Sequence, residues 1–469
     1  MSQESESIYF ESSENELVSK FLTSIKHNKT LYFDTEEYEE IIEHYLVRGI
    51  FDIALSAINK AIELHPNYTD FLFYKAQTLI ELKQPTEVFA LLTYIEKVEP
   101  NNQEVHFLKG CTYCQTGNLE EAITCFNLAL DICDDNKAEL LYNCAVNFIH
   151  ISEFNIAIEY LKYAIKEDPL CYNLHYDIGY CYDQIDENEL SINHYNHFLD
   201  NDPFSDLVWF NLGTVFSKTN QYALAIEAYE YAIALNDRNS LAYLYKGNTL
   251  ANNEQFHDAI ALYKEFLILE PNDPEALCYI GECYERIDLY DLALSYYSRT
   301  IEIDPEYADA HYGISIVLSY KNNFSDSIKF LNKAISLDSG NAEYWFTLGN
   351  LYHKLKFDEK AIDSYRKAVE LDPYDSESWL NMSEVYLKKN LLSKAIKILE
   401  DSYQYTSDDT SINYRLAAYN FLKCDILQGV YYFRRGFDED TSDPSELFKY
   451  CPDARNIREV KDILKKYKY

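Results

Sequence analysis

Prolines recur along this chain at a fixed spacing. They lie a whole number of 34-residue steps apart, once a single extra residue near Lys137 is allowed for: Pro66, Pro100, Pro169, Pro203, Pro271, Pro305 and Pro373. A period of this length is typical of a helix–turn–helix unit stacked many times, because one unit cannot bury its apolar face alone. The repeat therefore predicts an all-α solenoid for most of the 469 residues.

Small residues follow the same period. Alanine recurs twelve residues before the proline position and glycine twenty-four before it: Ala54, Ala122, Ala157, Ala225, Ala259, Ala293, Ala361 and Ala395, and Gly110, Gly179, Gly213, Gly247, Gly281 and Gly349. In the clearest unit, residues 342–375, Trp345, Leu348 and Tyr352 share one face of the first helix. Small side chains beside such large ones let two helices approach closely.

The order of these residues resembles the tetratricopeptide repeat (TPR) family. One unit carries Trp209, Leu212, Gly213, Phe216, Ala225, Tyr229 and Ala232, and another carries Ile280, Gly281, Tyr284, Ala293, Tyr297 and Pro305 at matching offsets. The resemblance covers most of the chain. It implies a right-handed α-α superhelical solenoid of eleven or twelve hairpins, in which the first helix of each unit lines a concave groove.

The period divides the chain into units and ends. Eleven units begin at Thr35, Thr69, Gln103, Ala138, Tyr172, Asp206, Ser240, Pro274, Ala308, Ala342 and Ser376. They make up residues 35–409, and residues 410–443 form a degenerate twelfth unit. Residues 1–34 are predicted to be an acidic segment with a capping helix, and residues 444–469 a basic amphipathic capping helix, because terminal repeats would otherwise leave an apolar face bare.

Charge and cysteine content narrow the functional class. The formal net charge is −37, with 78 acidic against 41 basic residues. Such a field repels nucleic-acid phosphates and anionic membranes and attracts basic partners. The 11 cysteines are unevenly spaced, which favours reduced thiols over a disulfide framework. No signal peptide or membrane-spanning apolar run is visible. We expect a soluble, cytoplasmic protein that binds no nucleic acid and does not insert into membranes.

The resemblance also implies where a partner binds. Groove-facing sites in the family are the second, fifth, ninth, twelfth and thirteenth positions of a unit, and the sixth in some members. The fifth position is mostly aromatic here and the sixth is asparagine in three units; with two acidic groove residues, the predicted partner-binding set is Phe73, Phe107, Tyr142, Asn143, Tyr176, Phe210, Asn211, Glu282, Glu285, Tyr312, Phe346, Asn381 and Tyr414. The alternative interpretation is that these aromatics pack between helices and that the polar residues are only solvated.

Residues that could support chemistry are sparse. Cys111 and Cys114 form a CxxC, but no second pair follows at a zinc-site spacing. His194 and His197 lie three apart with Glu189 nearby, which is either a metal fragment or a pair of surface histidines. No glycine-rich phosphate loop occurs. We predict no catalytic residue, metal or cofactor.

The sequence therefore predicts a non-enzymatic scaffold that holds basic or extended protein segments in an acidic, aromatic-lined groove. Two alternatives remain open. One is an assembly or folding factor, similar to a co-chaperone, that holds basic clients transiently. The other is an acidic decoy for nucleic-acid-binding proteins. Partner identity and oligomeric state are left open by the sequence.

Overall fold

The computed structural model describes residues 16–27, 31–437 and 443–466. All secondary-structure elements in these ranges are helices, so the predicted all-α fold of stacked helical hairpins is confirmed. Parts of the predicted end segments, residues 1–15, 28–30, 438–442 and 467–469, lie outside the described residues. The chain forms two compact units, one up to Asn236 and the other from Asp237 onwards.

The first unit contains an N-terminal helix followed by six hairpins. Its helices are α1 (Glu16–Lys26), α2 (Thr35–Val47), α3 (Phe51–Leu64), α4 (Asp70–Glu81), α5 (Pro85–Val98), α6 (Gln103–Gln115), α7 (Leu119–Ile132), α8 (Lys137–His150), α9 (Phe154–Glu167), α10 (Asn173–Gln184), α11 (Asn188–Leu199), α12 (Asp206–Lys218) and α13 (Tyr222–Leu235). In α1, Val18 and Phe21 are buried, and the Phe21 ring lies 6.3 Å from that of Tyr38 in α2.

The second unit contains six further hairpins and a C-terminal segment. Its helices are α14 (Ser240–Asn252), α15 (Phe256–Leu269), α16 (Pro274–Arg286), α17 (Tyr290–Ile303), α18 (Ala308–Tyr320), α19 (Phe324–Leu337), α20 (Ala342–Lys354), α21 (Asp358–Leu371), α22 (Ser376–Lys388), α23 (Leu392–Thr406), α24 (Thr410–Leu422), α25 (Ile426–Gly436), α26 (Ser445–Tyr450) and α27 (Arg458–Lys466), with a 3₁₀ turn at Pro452–Asn456. Within each unit, a helix contacts the next helix along the chain, and several first helices contact the first helix of the following hairpin.

Inside a hairpin, a ring from the second helix fills the space above a glycine of the first. A Cβ added to Gly281 would lie 2.7 Å from Cε1 of Tyr297, and one added to Gly349 would lie 2.5 Å from Cε1 of Tyr365. Both tyrosines are 1% exposed. The repeated glycines therefore create room for a large buried ring, which is why glycine and aromatic residues share the period.

Where the glycine is replaced by serine, the partner changes too. Ser315 occupies the glycine position of its hairpin, and the ring position carries Leu331 instead of tyrosine. The Ser315 hydroxyl lies 3.0 Å from the hydroxyl of Ser327, which donates to the Ser315 carbonyl at 2.8 Å. A smaller apolar side chain and a buried hydroxyl pair thus replace the glycine–tyrosine contact.

The turn within each hairpin places one residue in the left-handed region. The fifteenth position of every hairpin has φ between 55° and 77°: Gly49, Lys83, Gly117, Ser152, Asp186, Asn220, Glu254, Asp288, Asn322, Lys356, Asn390 and Cys424. Two of these are glycine and five are asparagine or aspartate, which tolerate this region; at the other five the packing of the two helices imposes the turn geometry. Glycine therefore does not mark this turn in the sequence.

The single extra residue of the repeat is accommodated by another residue in the left-handed region. Asn136 has φ 56° and precedes α8, at the point where the 34-residue spacing slips by one. Asparagine tolerates the left-handed region better than most residues. The insertion therefore stays in the loop, and the hairpins on either side keep their register.

Candidate partner-binding face

The aromatic residues at the fifth position rest on the ring that fills their own hairpin. The ring centroids are 5.7–6.1 Å apart in Phe107–Phe126, Tyr176–Tyr195, Phe210–Tyr229, Phe346–Tyr365 and Tyr414–Phe433. Most fifth-position rings, including those of Tyr142 and Tyr312, remain partly exposed, whereas Phe73 and Tyr414 are 6% and 1% exposed. One edge of most of these rings is therefore packed and the other is exposed.

The three sixth-position asparagines have different surroundings. Asn143 is exposed. Asn211 donates to the Tyr176 hydroxyl at 3.3 Å, and Asn381 donates to Oδ1 of Asn350 at 3.2 Å. Two of the three thus bridge consecutive hairpins through their side-chain amides. They fix the spacing of neighbouring first helices.

In the second unit, carboxylates gather on three neighbouring first helices. We call this the carboxylate face; its members are Glu275, Glu282 and Glu285 on α16, Asp309 on α18 and Glu343 on α20. Four of these accept tyrosine hydroxyls. The donors are Tyr279 to Glu275 at 2.6 Å, Tyr297 to Glu285 at 2.9 Å, Tyr312 to Glu343 at 2.9 Å, and Tyr344 to Asp309.

Two of these hydrogen bonds cross between hairpins. Tyr312 on α18 reaches Glu343 on α20, and Tyr344 on α20 reaches back to Asp309 on α18. The two tyrosine rings lie 4.8 Å apart. The pair of reciprocal bonds locks these carboxylates on one surface. The predicted residues Glu282, Glu285 and Tyr312 thus belong to this single face.

Glu282 is the most perturbed acid of the face. Its side chain is exposed, yet the protein atoms around the carboxyl, followed by the charges of Asp309 and Glu285, raise its pKa to about 7. Desolvation also raises the pKa of Glu285. Among the residues that the structure describes, no lysine or arginine forms an ion pair with any member of the carboxylate face. The face is a negative surface whose acids form no ion pair with the described chain around them, although the charge of Arg286 partly offsets the pKa shift of Glu285.

Glu384 occupies the same ninth position as Glu282 but in the eleventh hairpin. Burial opposes its ionisation, but hydrogen bonds from Lys388 and Tyr450 and the charge of Arg415 lower its pKa. Lys388 lies 2.7 Å from its carboxylate. The contrast with Glu282 shows that a neighbouring cation lowers the pKa of an acid at this position.

The first unit carries a weaker version of the same arrangement. Tyr68 donates to Glu39 at 2.6 Å and Tyr74 donates to Glu43 at 2.9 Å, so tyrosine–carboxylate bonds recur there. Burial raises the pKa of Asp177 to about 6, although a hydrogen bond with Tyr142 opposes the shift. The predicted partner-binding residue Tyr142 therefore lies beside a carboxylate.

The histidines and cysteines considered as metal or thiol sites lie in a histidine cluster and in the apolar core, respectively. His175 Nδ1 and His194 Nδ1 are 2.9 Å apart, and the His175 ring stacks on that of His197 at 3.8 Å. Cys111 and Cys114 are buried, and desolvation raises both pKa values, that of Cys114 to about 12. Throughout the described ranges, no three His, Cys, Asp or Glu side chains are arranged to hold a metal ion.

Sequence reasoning missed the tyrosine–carboxylate pairs, the histidine stack and the burial of Arg415. The tyrosines were visible in the repeat, but, apart from Tyr279 and its partner Glu275 on the same helix, their hydroxyl partners belong to other helices. The one available signal was the combination of a second-position acid with tyrosines in adjacent hairpins, as in Asp309 and Tyr344.

Comparison with protein families agrees with this architecture. Sequence models of the tetratricopeptide repeat family match residues 103–136, 207–239, 246–308, 308–341, 342–375 and 364–397. The chain is a tetratricopeptide repeat protein. TPR domains are typically non-enzymatic scaffolds for interactions between proteins. No curated protein sequence matches this TPR chain. No helix of the described part combines the length and apolar character needed to cross a bilayer.

Several solved structures are similar to this chain. YrrB, described as a TPR protein with an unusual peptide-binding site, is 25% identical over 39% of this chain and 94% of its own, with a TM-score of 0.34. MamA is 25% identical over 34% of this chain and 94% of its own, with a TM-score of 0.32. Yeast Tom70 is 15% identical over 91% of this chain and 96% of its own, with a TM-score of 0.47.

Proposed function

We propose that this TPR protein is a non-enzymatic scaffold whose carboxylate face binds a lysine- or arginine-bearing segment of a partner protein. The observation that carries the proposal is the set of five acids on α16, α18 and α20, none of which forms an ion pair with a lysine or arginine of the described residues. Partly exposed rings such as Tyr312 and Phe346 lie on the same first helices. Rings of this kind accept the methylene stems and charged heads of basic side chains.

The raised pKa of Glu282 predicts how the binding of a basic segment depends on pH. A basic side chain beside Glu282 would lower the pKa of its carboxyl back towards the ordinary range, as the cations around Glu384 do for that acid. Binding therefore releases a proton near neutral pH. Affinity should rise by up to about ten-fold between pH 6 and pH 8, because the ionised fraction of a group with a pKa near 7 rises by that factor.

The test measures the charge preference of the face directly. Three fluorescent twelve-residue peptides of alternating alanine with lysine, glutamine or glutamate are titrated against the full chain at low and high salt. We expect binding in the order lysine, glutamine, glutamate, with the lysine peptide weakened by salt. A Glu282→Gln/Glu285→Gln variant should lose at least five-fold in affinity for the lysine peptide.

A matched control separates the face from the overall charge. Glu265→Gln/Glu302→Gln removes the same charge from exposed positions on the second helices α15 and α17. It should leave the affinity for the lysine peptide within two-fold of wild type. Equal losses in both variants would mean that the net charge of −37, and not the face, attracts the peptide.

The two alternative functions predict different behaviour on the same protein. A folding factor would bind unfolded basic clients better than their folded forms, and a decoy would lose its partner to DNA. Neither is favoured by a specific contact of the described residues. We therefore keep the stable scaffold as the proposed function and a basic segment as its partner.

A further inference from the structure

One arginine differs from every other charged residue that the structure describes. Of the lysine, arginine, aspartate and glutamate side chains that the structure describes, only Arg415 is buried, at 4% exposed. It occupies the sixth position of the last hairpin, on α24. A buried guanidinium is stable only where its donors are paired. Its partners therefore show what this part of the first-helix face recognises.

Two contacts are made within the hairpins, because Nη1 of Arg415 donates to the Leu380 carbonyl at 3.5 Å and lies 3.9 Å from the Glu384 carboxylate. The other partners come from the C-terminal segment of the chain. Arg415 donates through Nε to Glu446 at 3.1 Å and through Nη2 to the same carboxylate oxygen. Its guanidinium stacks on the Tyr450 ring at 3.8 Å. Tyr450 in turn donates to Glu384 at 2.8 Å, on the first helix of the preceding hairpin. Helix α26 thus lies across the first helices of the last two hairpins.

An apolar residue completes the contact. Leu447 follows Glu446 and is fully buried in the same cluster as Tyr414 and Tyr419. A six-residue helix is too short to be stable alone, so α26 depends on this surface for its conformation. Helix α26 therefore contacts α22 and α24 in the way that a bound peptide would, although it belongs to the same chain. Its recognition elements are a glutamate, a leucine and, three residues later, a tyrosine.

We propose that the first helices α22 and α24 form a binding site for a short helix with the pattern Glu-Leu-x-x-Tyr, and that α26 occupies this site as a displaceable intramolecular ligand. This site goes beyond the proposed function, because its ligand is acidic and aromatic rather than basic. An outside ligand of the same chemistry competes with a tethered copy at high effective concentration. The wild-type site is therefore largely closed, and it opens when the tethered contact is weakened.

Two readouts on the full chain test the proposal. The first is alkylation of Cys451, a 6% exposed thiol that follows α26, measured by peptide mass spectrometry. The second is binding of a fluorescent synthetic peptide that reproduces residues 443–466. A Glu446→Ala/Tyr450→Ala variant should alkylate at Cys451 at least ten-fold faster than wild type. It should also bind the peptide at least ten-fold more tightly.

Control variants assign the effect to the contact. Glu459→Ala/Lys465→Ala changes two exposed residues of α27 and should leave both readouts at wild-type values. Adding Arg415→Met to the Glu446→Ala/Tyr450→Ala variant should remove the gained peptide binding. If the double variant loses helix content by circular dichroism, the shape-conserving Glu446→Gln replaces it, with a smaller rise expected in both readouts.

Some results would overturn the proposal. If Cys451 stays protected and the peptide binds no better to the weakened variants, α26 is a permanent structural cap. If the peptide binds wild type as tightly as the variants, the site is not occupied by α26. If binding survives Arg415→Met, the peptide contacts another surface. The lysine-peptide affinity of the carboxylate face tests the proposed function separately and need not change in any of these variants.

Discussion

Glu282 and Glu384 occupy the same position of their hairpins, but their surroundings are opposite. Glu282 faces Asp309 and Glu285, and its pKa is raised to about 7. Glu384 has Lys388, Tyr450 and Arg415 beside it, and its pKa is lowered. The residue type and the position in the hairpin are shared, so the difference comes from the neighbouring groups, some on the same helix and others on other helices.

Stability should respond to these two acids with opposite sign. The folded chain holds the Glu282 proton more tightly than the unfolded chain, so this group contributes stability that is lost as pH rises from about 4.3 to about 7. Glu282→Gln should therefore stabilise the protein at pH 8, by about 1 kcal/mol at most because solvent screens an exposed carboxylate. At pH 6 the effect should be smaller.

The matched variant is Glu384→Gln. The folded-state pKa of Glu384 is depressed, so its contribution is present above its unfolded pKa and is lost only as pH falls through the folded value. Glu384→Gln should destabilise by about 1 kcal/mol at both pH 8 and pH 6. Urea unfolding followed by circular dichroism measures both variants. The same sign for the two substitutions would contradict the assigned surroundings.

At the scale of the elements, the hairpin is the unit of packing. A glycine on the first helix and a large ring on the second make contact in hairpin after hairpin, with Gly281–Tyr297 and Gly349–Tyr365 as examples. The left-handed residue at the fifteenth position lets the second helix return against the first. These two features fix the angle and the distance between the helices of a pair.

Filling the space above the glycine should destabilise a hairpin. In Gly281→Ala the new Cβ would meet Tyr297 at 2.7 Å, which forces the buried ring to shift and costs about 1–3 kcal/mol. Gly340→Ala is the control, because its Cβ would meet only Asp338 Oδ1 at 3.4 Å. Thermal unfolding compares them. Adding Tyr297→Leu should recover part of the loss, since the Ser315 hairpin uses leucine at that position.

At the scale of the molecule, hairpins contact mainly their neighbours in sequence. A chain built this way has a stability close to the sum of hairpin and nearest-neighbour contributions. Damage at one hairpin should therefore remain local, and each compact unit has its own core. Local opening then differs along the chain.

Hydrogen exchange tests this locality with the Gly281→Ala protein. Amides of α16 and α17 and of the hairpins on either side of them within the second unit should exchange faster than in wild type. Amides of the first unit, up to Asn236, should keep their wild-type rates. A uniform increase over the whole chain would show that the repeats unfold as one cooperative body, contrary to the expectation for neighbour-limited contacts.

Much of the fold was predictable because the same local pattern of residues recurs in many repeats. The glycine, alanine and aromatic residues that pack a hairpin lie within 34 residues of each other, so their spacing reports their contacts directly. The choice of first-helix positions as candidate binding residues followed from the family resemblance. The sequence did not show which of those positions are open, paired or covered, since that depends on which side chains of a neighbouring hairpin or of the C-terminal segment they meet.

The period, the helical hairpin and the excess of acid follow from the order of the residues. It took the folded structure to show that no cation in the described part of the chain pairs with Glu282, that Asp309 and Tyr344 meet across hairpins, and that Arg415 is covered by Glu446 and Tyr450. The physical reason is range. Hairpin packing is set by local spacing, whereas the charge state and exposure of a side chain depend on every group that folding brings within a few ångströms of it.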